Sequence, residues 1–134
     1  MKTLSYVKVV LLLVLTISIS SCEIEDDYNT DERLCSKYWT ETYYTQGGEF
    51  CTHELIFYLD GGGEETFIYE RTDASGNSTR TEENYVFNWD WTDYRMESLD
   101  LQYTSGTVLY FDNVIVGDHE LSGVFDGTAV TFRD

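Results

Sequence analysis

Apolar and polar residues alternate along most of the chain after residue 35, and a period of two predicts β-strands. The clearest run is NYVFNWDW, in which the large side chains fall on one face and Asn or Asp on the other. Its aromatic face consists of Tyr85, Phe87, Trp89 and Trp91. The shorter run LDLQY, which ends at Tyr103, repeats the scheme. Such strands have one side for a core and one side for water.

The same pattern recurs about eight times with short breaks. The predicted strands are Tyr38 to Tyr44, Glu54 to Leu59, Glu65 to Thr72, Asn84 to Trp91, Leu99 to Tyr103, Thr107 to Val116, His119 to Phe125 and Ala129 to Arg133. Gly, Asp and Asn fill the breaks, which are too short for crossover helices and suit hairpin turns. We therefore expect residues 35–134 to form one all-β domain, a single antiparallel up-and-down meander that closes into a small barrel.

The first 21 residues have the character of an export signal. Lys2 and Lys8 precede or flank an apolar run that is about half the length a membrane span needs. The segment Ile19-Ser20-Ser21-Cys22 resembles the lipobox of bacterial lipoproteins, which implies removal of residues 1–21 and lipidation of Cys22. The alternative is an ordinary signal cut nearby that leaves Cys22 as a free thiol.

Residues 22–34 are rich in Asp and Glu, and we expect them to form a solvated acidic tether between the lipid and the domain. The tether is similar to the acidic signal that sends some Bacteroidetes lipoproteins to the cell exterior, and the alternative is a plain spacer. These features predict an outer-membrane lipoprotein that faces the periplasm or the cell surface. Membrane attachment would run through the lipid alone.

The chain carries 25 acidic and 8 basic residues, for a formal net charge of −17. Nucleic acid is therefore not an expected partner, because phosphate binding requires clustered Lys and Arg. An oxidising compartment would allow Cys35 and Cys51 to form a disulfide, with two free thiols as the alternative. His53 and His119 are isolated histidines, expected in turns or satisfied pockets, and no metal site is predicted.

Catalytic residues are not predicted. The chain lacks a nucleophile-elbow motif, and no serine, histidine and acid combine into an evident set. Neighbouring acids such as Glu64-Glu65 and Glu82-Glu83 are expected at solvated strand ends. We expect a protein that is not an enzyme and has no cofactor.

The order of several strand motifs resembles the small lipocalin-like lipoproteins of Bacteroidetes. The corresponding residues are Trp39, the LIFYLDG segment from Leu55 to Gly61, Phe87 with Trp89, Leu99 to Tyr103, and Phe132-Arg133. Lipocalins proper have glycine two residues before the tryptophan, where this chain has Lys37. The resemblance implies a barrel that binds one small molecule.

Closure of the meander makes the first and last strands neighbours. Arg133 could then lie over the indole of Trp39 in a cation–π contact that helps to close the barrel. The alternative is that Trp39 is a plain core residue and Arg133 is solvated.

Two functions remain open from the sequence. In the first, a lipid-anchored module holds a small hydrophobic or glycan ligand against aromatic side chains at one barrel mouth. The candidates for that surface are Tyr85, Phe87, Trp89, Trp91 and Tyr103, which would otherwise be core residues. In the second, the barrel is filled and serves as an accessory subunit that binds an envelope protein.

Overall fold

The structure, a computed structural model, describes residues 28–35 and 37–134, which form one short helix followed by eight strands. The helix is α1, Tyr28–Cys35. The strands are β1 Tyr38–Tyr44, β2 Phe50–Phe57, β3 Gly62–Thr72, β4 Ser78–Trp91, β5 Ser98–Tyr103, β6 Val108–Val116, β7 Glu120–Phe125 and β8 Thr128–Arg133.

Each strand pairs antiparallel with the next along the chain, and β8 returns to β1 through the pair Thr40 and Arg133. The result is a closed barrel with up-and-down topology, which confirms the predicted fold class. Most turns hold two to six residues, so no segment between strands is long enough to leave the meander. Glycines at positive φ, such as Gly76 and Gly106, make the tight turns.

The alternation of the sequence separates the inside of the barrel from the outside. In β2 every second residue is buried, from Cys51 to Phe57. The fully buried large side chains are Trp39, Phe57, Phe87, Phe111, Phe132, Leu34, Leu55, Leu99, Leu101 and Leu121. Close packing also depends on Gly63, where an added Cβ would lie 2.2 Å from a ring carbon of Phe87.

The two ends of the barrel differ. The turns 58–61, 92–97 and 117–119 lie at one end together with α1, and we call this the closed end. Leu34 of α1 is fully buried there, and its carbonyl accepts a 2.8 Å hydrogen bond from Trp39 Nε1. Asp31 Oδ1 accepts a 2.7 Å hydrogen bond from Trp91 Nε1. The helix therefore covers the core through one apolar side chain and two indole N–H groups.

The opposite end, which we call the open end, carries the turns 45–49, 73–77, 104–107 and 126–127. Strands β3 and β4 extend furthest at the open end. Their pairing runs from Gly62 with Asn88 to Thr72 with Ser78. Strand β5 meets β4 only from Phe87 to Trp91. The rim of the open end is therefore uneven and lower beside β5.

The predicted disulfide between Cys35 and Cys51 is not formed, since both cysteines are free. Cys35 ends α1 at the closed end, whereas Cys51 pairs with Tyr43 near the other end of β1. Tyr38 and Tyr43 are five strand steps apart, or about 17 Å. A disulfide needs Cα atoms about 4.4–6.8 Å apart, so these two positions are too distant. Counting cysteines could not reveal that separation.

The predicted cation–π contact between Arg133 and Trp39 is not formed. Strands β1 and β8 are neighbours as expected, but the cation above the indole is Lys37 Nζ, 5.1 Å from the ring centroid. Arg133 lies next to the inward-facing Phe132, so its own side chain is on the outer face, where it contacts Glu120 Oε2 at 3.3 Å. Strand parity thus directs Arg133 away from the core.

Helix α1 was not predicted, and it occupies the last part of the segment 22–34 that was assigned to the tether. Cys22 and the predicted signal lie outside the described residues, so the predicted lipidation stays a prediction. Within the part of the chain that the structure describes, no helix has the length and apolar character required to cross a membrane.

Candidate binding site

A cavity of about 700 Å³ opens inside the barrel at the open end. Its walls come from β1, β2, β3, β4, β6 and the β7–β8 hairpin: Glu41, Tyr43, His53, Glu65, Phe67, Tyr69, Glu83, Tyr85, Leu109, Phe125, Asp126, Thr128, Ala129 and Val130. A smaller recess of about 180 Å³ adjoins it, lined by Tyr103 and by the short turn between β5 and β6. The two share Glu65, Tyr85 and Leu109. The cavity has the size of a small-molecule site.

Strand register brings the polar residues of this cavity together. Glu41 on β1 pairs directly with His53 on β2, and His53 pairs with Phe67 on β3. On the other side of β3, Glu65 pairs with Tyr85 of β4. Because directly paired residues point to the same face, all five side chains project into the barrel.

His53 lies between two carboxyl groups at the floor of the cavity. Its Nδ1 is 2.9 Å from Glu41 Oε1, and its Nε2 is 2.7 Å from Glu65 Oε1. His53 and Glu65 are buried, at 4% and 3% exposure. An imidazole with an acceptor at each nitrogen is best satisfied when both nitrogens carry a proton.

The pKa of His53 follows from two opposing causes. Burial alone would lower it, because a charged imidazolium loses solvation. The hydrogen bonds to Glu41 and Glu65 and the charges of these groups outweigh burial, so the His53 pKa is raised above 6.5. The cavity floor therefore favours an imidazolium held between carboxylates.

Tyr103 extends this network across the barrel. Its hydroxyl donates a 2.6 Å hydrogen bond to Glu65 Oε2, so that Glu65 is bonded through both of its oxygens. Burial, together with the charge and hydrogen bond of Glu65, raises the pKa of Tyr103 well above its usual value. The phenol consequently stays a donor. Since both His53 nitrogens contact carboxyl oxygens, neither is left to act as a base toward a ligand.

Aromatic rings form the wall above this floor. Phe67 stacks on His53 with a centroid distance of 4.3 Å, and Tyr69 stacks on Phe67 at 6.2 Å. Tyr85 meets the edge of Phe67 at 6.2 Å. We call Phe67, Tyr69 and Tyr85 the aromatic wall. It offers ring faces and edges to whatever enters the cavity.

The five aromatic residues predicted to form one surface lie in three parts of the barrel, which are the open end, the core and the closed end. Tyr85 and Tyr103 line the open-end cavity, and Phe87 is fully buried in the core between the ends. Trp89 and Trp91 lie at the closed end, where Trp89 Nε1 donates to the Tyr58 carbonyl at 3.1 Å. One strand face thus supplies both core and cavity, because β4 runs the whole length of the barrel.

Sequence reasoning missed the carboxylate–imidazole network. The predicted second strand began at Glu54, which left His53 in a turn, and Glu65 was expected at a solvated strand end. The signal was present in the CTHELIF run, where His53 stands two residues from both Cys51 and Leu55. Parity alone places it on the inner face once the strand is extended.

Among residues 28–35 and 37–134, no group of three or more His, Cys, Asp or Glu side chains is arranged to hold a metal ion.

Comparisons with protein-family models, with curated proteins and with solved structures found no match. The function is therefore inferred from the geometry of the barrel.

Proposed function

We propose that this protein is a binding module that holds one small, partly apolar molecule in its open-end cavity, and that it is not an enzyme. The single observation that carries the proposal is the cavity itself, which measures about 700 Å³ and has aromatic rings and a few polar groups in its lining. Small-molecule sites combine these features. Apolar walls supply affinity, and fixed polar groups supply orientation.

The contrast between the two ends supports this assignment over an accessory subunit with a filled core. The closed end is packed with fully buried side chains, whereas the open end keeps a cavity between strands that could have been filled by larger residues. Thr128, which pairs with the inward-facing Phe125, is a small residue on that wall. A barrel that only docked a partner through its outer face would gain stability from a filled interior.

We further propose that the module is displayed at the cell envelope by lipid on Cys22, with the acidic segment as a spacer. Mass spectrometry of the protein purified from membranes should show an N-terminus at Cys22 carrying acyl chains. Cys22→Ser should abolish both the acylation and the membrane association. An unmodified Cys22 thiol on membrane-derived protein would exclude the anchor without touching the cavity.

The binding proposal can be tested with an uncharged apolar dye. N-phenyl-1-naphthylamine should bind saturably with one site per chain, seen as enhanced dye fluorescence. Leu109→Trp should remove that binding, because Leu109 lines the cavity and a larger ring would fill it. Val108→Trp is the matched control, since Val108 is 41% exposed on the outer face of the same strand.

Two results would contradict the proposal. One is the absence of saturable dye binding by the folded wild-type protein. The other is equal loss of binding in Leu109→Trp and Val108→Trp, which would place the dye on the outer surface. Circular dichroism of both variants confirms that each one is folded.

A further inference from the structure

The lining of the cavity is strongly biased toward acid. Four carboxyl groups project into it, from Glu41, Glu65, Glu83 and Asp126, against the single imidazole of His53. No described Lys or Arg lines it. Arg71 continues the inner-facing row of Phe67 and Tyr69 on β3, but it is exposed at the rim and does not line the cavity. Lys37 lies at the closed end and Arg133 on the outer face.

The floor of the cavity already combines carboxyl groups with a stacked aromatic ring around one polar group. His53, whose imidazole is sandwiched between Glu41 and Glu65, has one ring face against Phe67 at 4.3 Å and an interplanar angle of 15°. A planar imidazole hydrogen-bonded between two carboxyl groups, with an aromatic ring stacked on it, is therefore part of the folded protein. The pair of carboxylates at the floor is occupied by the protein's own side chain.

A second carboxylate lies higher on the wall in similar surroundings. Glu83 of β4 pairs directly with Phe67 of β3, so its side chain starts beside that ring on the inner face. The Tyr85 hydroxyl donates a 3.0 Å hydrogen bond to Glu83 Oε2, and the Tyr85 ring meets Phe67 edge-on. Glu83 thus lies beside Phe67 and Tyr85 of the aromatic wall and lines the cavity.

A carboxylate beside aromatic rings is the chemistry that recognises an organic cation. The ring faces attract an ammonium through their quadrupole, while the carboxylate supplies the opposite charge. An anion would meet four carboxyl groups, while the one imidazole, that of His53, is already held by Glu41 and Glu65. A neutral molecule would gain the apolar contacts without the charge. Leu109, Phe125 and Val130 offer apolar surface for the rest of such a ligand.

We infer that the open-end cavity selects an organic monocation, a primary or quaternary amine with an apolar or aromatic body, whose charged nitrogen binds beside Glu83 against Phe67 and Tyr85. This inference rests on the proposed binding function and adds the chemical class of the ligand. The body of the ligand lies along Leu109 and the apolar side of the cavity.

The test uses three probes that share one ring system and differ in charge. Tryptamine carries a positive charge, tryptophol is its neutral analogue and indole-3-acetate is negative. Calorimetric titration near neutral pH should give tryptamine at least about tenfold higher affinity than tryptophol, with no detectable binding of indole-3-acetate. The preference should fall between about 0.01 M and 0.15 M salt, because screening weakens the charge term.

Two isosteric variants locate the charge. Glu83→Gln should weaken tryptamine binding about tenfold and leave tryptophol unchanged, since it removes only the carboxylate charge. Glu82→Gln makes the same change in net charge one residue away, on the outer face of β4, and should alter tryptamine affinity less than about twofold. Neither residue is buried, so both variants are expected to fold.

The outcomes separate the inference from the proposed function. If N-phenyl-1-naphthylamine binds but tryptophol or indole-3-acetate binds as tightly as tryptamine, the cavity is a binding site without cation selectivity and the inference fails alone. The same holds if the dye binds and none of the three probes does, or if Glu82→Gln weakens tryptamine as much as Glu83→Gln. If neither the dye nor tryptamine binds, both the inference and the proposed binding function fail.

Discussion

The closed and open ends of this barrel are made by the same eight strands, yet they have opposite interiors. At the closed end, alternate strand positions carry Trp39, Leu55 and Phe57, and the interior is filled with buried apolar side chains. At the open end, the same alternation continues into Glu41 and His53, and the interior becomes polar and hollow. Inward-facing and apolar are therefore separate properties of a strand position. Parity decides which side chains point inward, and residue type decides whether they form core or site.

The largest effect should come from the core of the closed end. Trp39→Ala removes a fully buried ring and its hydrogen bond to the Leu34 carbonyl, so the free energy of unfolding should fall by about 3–5 kcal/mol. Urea unfolding followed by circular dichroism measures the change. Tyr38→Ala, at the neighbouring outward position, should change stability by less than about 1 kcal/mol. Equal losses would mean that the inward-facing ring at the closed end is no better packed than its outward-facing neighbour.

A smaller loss is expected from added volume between β3 and β4. Gly63→Ala would place a Cβ 2.2 Å from Phe87 Cε2 and 2.8 Å from the Ile56 carbonyl oxygen, so the strands must shift. The expected cost is about 1–3 kcal/mol in denaturant unfolding. Gly47→Ala is the control, because its nearest contact is an ordinary 3.7 Å and the turn there is exposed. A neutral Gly63→Ala would show that this contact is loose.

The cation at the closed end gives a third, weaker effect. Lys37→Gln should lower the free energy of unfolding by about 0.5–2 kcal/mol, because Lys37 covers the Trp39 ring and lies 3.0 Å from Asp134. Arg133→Gln should cost less than about 0.5 kcal/mol, since its pair with Glu120 is exposed. Thermal unfolding of both variants side by side distinguishes them. A larger loss for Arg133→Gln would restore the role first expected for that residue.

The smallest effect is the pH dependence of the open-end network. The pKa of His53 is higher in the folded state than in the unfolded state, where it is near 6.5. The stabilisation that His53 gives to the fold is therefore complete below pH 6.5 and is lost as pH rises through the folded-state pKa. The stability gap between wild type and His53→Gln should therefore be larger at pH 5.5 than at pH 8.5. Tyr38→Ala should show a constant gap over this range. A gap that widens at high pH would mean that His53 is held neutral.

Most of the barrel could be predicted from the sequence because its signals are local. β1 has the predicted bounds, and the starts of β5 to β8 differ from prediction by one residue. β2, β3 and β4 begin four, three and six residues earlier than predicted, because most of their first residues are polar or glycine and look like turns in the sequence. Helix α1 could not be found in this way. It has eight residues in an acidic segment, and its burial depends on Leu34 meeting a core that forms only when the barrel closes.

The site was less accessible to sequence reasoning than the fold. Tyr85 and Tyr103 were identified as candidates because aromatic residues at alternate positions are conspicuous. Glu65 was not identified, because its role depends on three strands that bring His53 and Tyr103 to its two oxygens. In a chain with 25 acidic residues, composition cannot distinguish Glu65, which is the one buried carboxyl group among residues 28–35 and 37–134.

The three indoles of this chain, Trp39, Trp89 and Trp91, all lie in the closed half, whereas phenols dominate around the cavity. The tryptophan signal is therefore confined to one pole, whereas tyrosines occur at both, with Tyr58 and Tyr94 in closed-end turns and Tyr69 and Tyr85 on the cavity wall. Tryptophan fluorescence reports on the docking of α1 and on the unfolding of the closed end. A molecule bound near Tyr85 would leave that signal nearly unchanged. Ultraviolet difference spectra of tyrosine would register its arrival instead.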